Sequence, residues 1–166
     1  AATLAAVHKR IDLDRMATSI KGAVATGASV KLNMIIGLPS EGWRDAFATM
    51  WFLLRMAWAG VEDAFVASFT PYPGSVLFDE MQKAGTLPPL DDCYFRELAS
   101  IASFADSRSY SPHLSNRAIT ALRVTSMLLF YGVGFVRKPA RVVRLFRNLW
   151  QNREESRLEL GLLDIK

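Results

Sequence analysis

An α/β fold with a parallel crossover is predicted from two Gly/Pro turns and the helix between them. The run Val30-Lys-Leu-Asn-Met-Ile-Ile-Gly-Leu-Pro-Ser-Glu41 is a strand closing in Gly-Leu-Pro. About thirty residues later, Phe69-Thr-Pro-Tyr-Pro-Gly-Ser75 closes a second strand in the same manner. Strand, helix and strand at this spacing give a right-handed βαβ unit. Open α/β sheets and barrels bind ligands beyond the C-terminal ends of their strands, so the two turns mark a site of phosphate or nucleotide size.

Each element has a local cause. Asp12 or Asp14 caps a helix carrying Leu13, Met16, Ile20 and Val24 at helical spacing, and Gly27 stops it. The strand from about Ser29 to Ile36 alternates: Val30, Leu32, Met34 and Ile36 face one way, Lys31, Asn33, Ile35 and Gly37 the other. In a barrel the apolar set meets the surrounding helices and the mixed set meets the lumen. Ser40, with Glu41 and Asp45, starts a very apolar helix that runs to about Ala59 and ends at Gly60. A second strand spans about Glu62 to Thr70. Ser75 caps a short helix to Ala84, closed by Gly85, and Leu87–Leu90 ends the α/β part.

A helix near Tyr94–Phe104 and a Ser-rich connection (Ser100 to Ser115) follow. Two helices complete the chain, one from a Ser115/Asn116 cap to about Val136, the other from Pro139 to about Leu160. On the last, Val142, Leu145, Phe146, Leu149 and Trp150 share a face opposite Arg141, Arg144 and Arg147. The domain boundary falls near residue 90, with 1–90 the α/β part and 91–166 a helical appendage.

Composition narrows the function. The chain has 166 residues, 51% of them apolar, which is ample for a core. No secretory signal is recognisable, and a cytoplasmic location is expected. The one cysteine, Cys93, excludes a disulfide within the chain and a Cys-ligated cluster held by this segment alone. The net charge of +4 is uneven: Arg137, Lys138, Arg141, Arg144, Arg147 and Arg153 form a run without acids. Such a run suits nucleic acid, anionic lipid or an acidic partner. A small-molecule site with no nucleic acid is expected, with peripheral membrane contact through the basic helix as an accessory.

The turns carry the chemistry. Gly37 allows backbone to approach a planar ligand, Pro39 fixes the turn, Asn33 supplies an amide and Ile35 a flat apolar surface. Taken alone, Gly37 reads as an ordinary β–α turn glycine; paired with Pro71-Tyr-Pro-Gly74 at βαβ spacing, it reads as a ligand edge.

Residues from about Lys9 to Leu90 resemble the C-terminal half of a radical S-adenosylmethionine barrel, whose G-x-I-x-G-L-P-G-E and P-Y-P-G-T segments line the adenosine pocket. Asn33-Met-Ile-Ile-Gly-Leu-Pro-Ser-Glu41, Gly60-Val-Glu-Asp63 and Pro71-Tyr-Pro-Gly-Ser75 carry the likeness. It is nearest to the members with an N-terminal cobalamin-binding domain, typified by the anaerobic magnesium-protoporphyrin monomethyl ester cyclases. Phe130-Tyr131, Arg137-Lys-Pro139 and Asn148-Leu149 are similar to appendages in that family.

The resemblance implies a partial TIM-like barrel, S-adenosylmethionine as cofactor, and a four-iron four-sulfur cluster that cleaves it to a 5′-deoxyadenosyl radical. Cobalamin, if the parent binds it, sits in a domain outside this chain, and the substrate class is apolar or tetrapyrrole-like. By motif, Ile35 and Gly37, with Leu38 beside them, pack on adenine, and backbone around Thr70, Pro71 and Tyr72 meets its edge. Asn33 stands where the family has its first glycine and Ser40 where it has a later one. The Cys-x3-Cys-x2-Cys loop is absent, so the resemblance implies a missing N-terminal half, no metal ligand here, no assignable catalytic residue and no activity for this segment alone. The rival reading is a non-catalytic half-barrel that docks on a membrane or a partner.

Other residues read as structural. Cys93 is a half-buried thiol, and His8 and His113 lack metal spacing. Asp91 and Asp92 are helix caps. Trp51 and Trp58 share a helix face and read as core or interdomain packing. The apolar stretch Ala118–Val136 is interrupted by Arg123, so a docking or interfacial helix is expected rather than a span.

Overall fold

Asp12 starts the first helix: its carboxylate accepts from the backbone N–H of Asp14 (3.0 Å) and Arg15 (3.1 Å). The computed structural model describes residues 11–99, 108–151 and 158–159. Their elements are α1 (Leu13–Ala25), β1 (Lys31–Ile36), α2 (Trp43–Ala59), β2 (Asp63–Ser68), α3 (Val76–Lys83), α4 (Asp92–Ala99), α5 (Asn116–Arg137) and α6 (Ala140–Trp150). The chain is therefore mixed α/β and rich in helix, with a small two-stranded parallel sheet. Glu62 N–H donates to Val30 C=O and Phe69 N–H to Ile36 C=O, which fixes the register at both ends.

The strand alternation is as the sequence predicts. Leu32 and Ile36 are buried while Lys31, Asn33 and Ile35 are exposed. β2 is buried almost throughout, as a strand covered on both faces should be. Ser75, Asp91 and Ser115 cap α3, α4 and α5 through bonds to Phe78, Tyr94 and Ala118 N–H. Ser40 does not cap α2. The first turn instead closes on Gly42, whose C=O accepts from Asp45 and Ala46 and whose N–H meets the Asp45 carboxylate at 3.2 Å.

The described residues divide into two compact units, one of residues 35–46 and the described part of 67–124, the other of 11–34, 47–66 and the described residues from 125 onward. Each unit draws on both sides of residue 90. In the first, Phe78, Met81, Tyr94, Leu114 and Ile119 are buried; in the second, Leu53, Met56, Ala57, Val61 and Phe130. Burying each Leu, Ile, Val, Met or Phe side chain among them contributes roughly 1.5–3 kcal/mol.

Two helices of the second unit present faces that the sequence does not predict. Phe52, Leu53, Met56 and Ala57 are the buried residues of α2 there, which leaves Trp51 (64% exposed) and Trp58 (59%) at the surface rather than in a core. On α6, Arg141 and Arg144 turn inward, while Arg147 stays exposed. Arg141 donates to Gly60 C=O (2.7 Å) and Val61 C=O (3.0 Å), and Arg144 pairs with Glu62 at 3.4 Å; the exposed Arg137, the last residue of α5, donates to Trp58 C=O (3.3 Å). These carbonyls lie at the end of α2, where cations complement the helix dipole. Val143, Phe146 and Trp150 consequently face outward. On α5, Leu122 and Phe130 are buried, whereas Leu128 and Leu129 are exposed.

Cys93 is a free, exposed thiol rather than a half-buried one. His8, residues 100–107 and the end of the last predicted helix lie outside the described residues, apart from a helical pair at 158–159.

Candidate functional site

In the first unit, the pairing of Ile36 with Phe69 sets the Gly37-Leu38-Pro39 and Thr70-Pro71-Tyr72 turns side by side. Gly37 takes φ +88°, a left-handed conformation that favours glycine. The Glu41 carboxylate folds back beneath this turn, one oxygen accepting from Gly37 N–H (2.5 Å) and Leu38 N–H (3.1 Å). Glu41 is buried, and Ser111 Oγ donates to its backbone C=O at 2.6 Å. Burial raises the Glu41 pKa and Asp45 adds to the effect, while the two amide donors offset part of it.

The second turn is held from within as well. Tyr94 Oη donates to Pro71 C=O, and Tyr72 C=O accepts from Ser75 Oγ (2.7 Å) and Ser75 N–H (3.0 Å). The Gly37 and Leu38 amides and the Pro71 and Tyr72 carbonyls are thus all engaged inside the chain. A Cβ on Gly37 would lie 3.1 Å from Ile119 Cδ1, so an α5 side chain fills the space expected for a planar ligand. The dihedral favours glycine here, and a Cβ would also press on the end of the Ile119 side chain.

Of the predicted site residues, Ile35, Gly37, Leu38, Thr70, Pro71 and Tyr72 come together at this end of one unit; Asn33, exposed, belongs to the other. Ile35 and Tyr72 are half-exposed, Leu38 and Thr70 partly so, and Gly37 and Pro71 are buried. The surface offers an aliphatic side chain, a phenol ring and a hydroxyl. Its one carboxylate, Glu41, is enclosed. Such a set has the chemistry to pack against a flat apolar or heteroaromatic group.

The second unit holds a cavity of about 380 Å³ at the N-terminal ends of the strands, lined in part by Ser29, Glu62, Asp63, Tyr131, Arg141 and Arg144. Asp63 is buried and accepts from Tyr131 Oη at 2.5 Å, with Lys31 Nζ at 2.6 Å. Burial, reinforced by Asp63, holds the Tyr131 phenol well above its ordinary pKa, so it remains a hydrogen-bond donor. Burial alone would raise the Glu62 pKa, but the Ser29 hydroxyl, Arg144 and Arg141 together bring it below its usual value. Most of the charged groups here are paired, while Arg141 Nε is buried without a hydrogen-bond partner.

Among the described residues no group of three His, Cys, Asp or Glu could hold a metal ion. Comparison with family models, curated proteins and solved structures gives no match to this chain. Glu41 and Ser111 are the site residues that sequence reasoning missed. The four-residue spacing from Gly37 to Glu41 is a signal that could have found the first; Ser111, seventy residues away, leaves none.

Proposed function

We propose that this chain is the C-terminal part of a radical S-adenosylmethionine barrel and supplies one wall of the adenine pocket. The observation that supports this most is the sheet itself: two parallel strands, with the Lys31, Asn33 and Ile35 side of β1 left to solvent. Parallel sheets are stable when covered on both faces and continued at their edges, and closing into a barrel supplies both conditions. The preceding half, with its Cys-x3-Cys-x2-Cys loop, would add the remaining strands. The exposed Ile35 and Tyr72 would then flank the purine, and Thr70 would face its edge.

The iron–sulfur cluster does not fit the residues present, since this chain has a single cysteine. The part of this segment is to bind and orient: Glu41 locks the first turn, Tyr94 and Ser75 hold the second, and Ile35 and Tyr72 present the apolar surface.

Ile35→Asp in the parent barrel tests this role, because a half-exposed residue can be replaced without disturbing the core. S-adenosylmethionine affinity measured by titration calorimetry should fall about tenfold or more, from lost apolar contact and a buried charge. Unchanged affinity in a folded variant would remove β1 from the pocket.

A further inference from the structure

The chain has four tryptophans, and all four are exposed: Trp43, Trp51, Trp58 and Trp150. Tryptophan is strongly buried on average in proteins, so a surface carrying several marks a contact with something less polar than water. Trp51, Trp58 and Trp150 belong to the second unit, where the exposed apolar residues have a definite layout. On α6 the exposed positions Val143, Phe146, Arg147 and Trp150 recur at helical spacing along one face, with Phe146 67% and Trp150 90% exposed. At the α5–α6 corner, Val136, Arg137 and Lys138 are exposed, and the Arg137 guanidinium lies 6.0 Å from the centre of the Trp58 ring.

Charge selects the occupant. Phe47–Ala59 and Asn116–Trp150 contain no Asp or Glu. Arg141 and Arg144 are turned inward onto Gly60, Val61 and Glu62, so the exposed cations of α6 and its corner with α5 are Arg137, Lys138 and Arg147. A second copy meeting this face about a two-fold axis would set cation against cation. An anionic lipid surface would neutralise the cations while its acyl boundary took in the aromatic rings, the arrangement of interfacial helices.

We propose that α6 lies in the interface of an anionic bilayer, with Val143, Phe146 and Trp150 inserted and Arg137, Lys138 and Arg147 at the headgroups. This contact is distinct from the S-adenosylmethionine reading and does not depend on it. Of the basic face expected to meet the membrane, Arg141 and Arg144 are turned inward and Arg147 stays exposed.

Co-sedimentation of the 166-residue chain at low salt, with phosphatidylcholine vesicles containing phosphatidylserine and with phosphatidylcholine alone, tests the proposal. The expected result is partition into the anionic vesicles with a blue-shifted tryptophan emission. Phe146→Ser should lower the partition about tenfold, and Phe146→Ser with Trp150→Ser further. Arg147→Gln should lower it about fivefold. Both apolar positions are exposed, so far-UV circular dichroism should be unchanged. No binding to anionic vesicles overturns the proposal, as does unaltered partition of the folded double variant. A dimer that Phe146→Ser dissolves, in a chain that ignores vesicles, overturns it in favour of self-association.

Discussion

Asp63→Ala is expected to destabilise the chain by about 3 kcal/mol. The carboxylate is buried and takes Tyr131 Oη at 2.5 Å and Lys31 Nζ at 2.6 Å. Removing it leaves a buried phenol without its acceptor and an ammonium without its counter-ion. The lysine side chain is 44% exposed, so water screens its share, and most of the cost falls on the tyrosine. Asp63→Asn keeps an acceptor for Tyr131 and should recover about half of the loss. Urea denaturation checks the series through the midpoint at constant slope. A loss below about 1 kcal/mol for Asp63→Ala would mean that the polar network carries no weight.

Glu41 should also give a large effect, with a different response to its amide. Glu41→Ala frees the buried Gly37 and Leu38 N–H groups and is expected to cost about 2 kcal/mol. Glu41→Gln retains an oxygen for both amides and removes a buried charge, so at neutral pH it should be neutral or stabilising. The pH dependence follows from the raised pKa of Glu41. Between the unfolded and folded values the native state holds more protons than the unfolded state. Stability contributed by this group is therefore full below the unfolded value and falls as pH rises through the folded one. The Gln variant should lack that decline. Thermal midpoints from mildly acidic to neutral pH decide it: parallel curves for wild type and Gln would show that the carboxylate is not strained by burial.

What the sequence makes legible is whatever a few neighbouring residues decide. Asp12, Ser75, Asp91 and Ser115 act as caps, each through an amide two or three positions ahead. Gly27, Gly60 and Gly85 take positive φ at or just beyond helix ends. The alternation of β1 gives its buried face. The orientation of α2 is not legible, because that helix is apolar nearly all round and periodicity selects no single stripe. On α6 the apolar and basic faces are plain, but an Arg stem is long enough to reach the carbonyls ending α2, and that contact decides which face turns inward.

The candidate site shows the same division. The two turns and their pairing follow from local residues, whereas Ile119 against Gly37 and Ser111 on Glu41 join positions more than sixty residues apart. Local chemistry carries no record of contacts at that separation. The Asp63–Tyr131 bond is hidden for the same reason.

Whether these two strands are the end of a longer barrel is decided by the coding sequence directly upstream of the Ala1 codon. An open frame that continues through at least a half-barrel, with three cysteines spaced Cys-x3-Cys-x2-Cys, is the expected result. Initiation immediately before Ala1, with a ribosome-binding site and a preceding stop codon, would rule the barrel out.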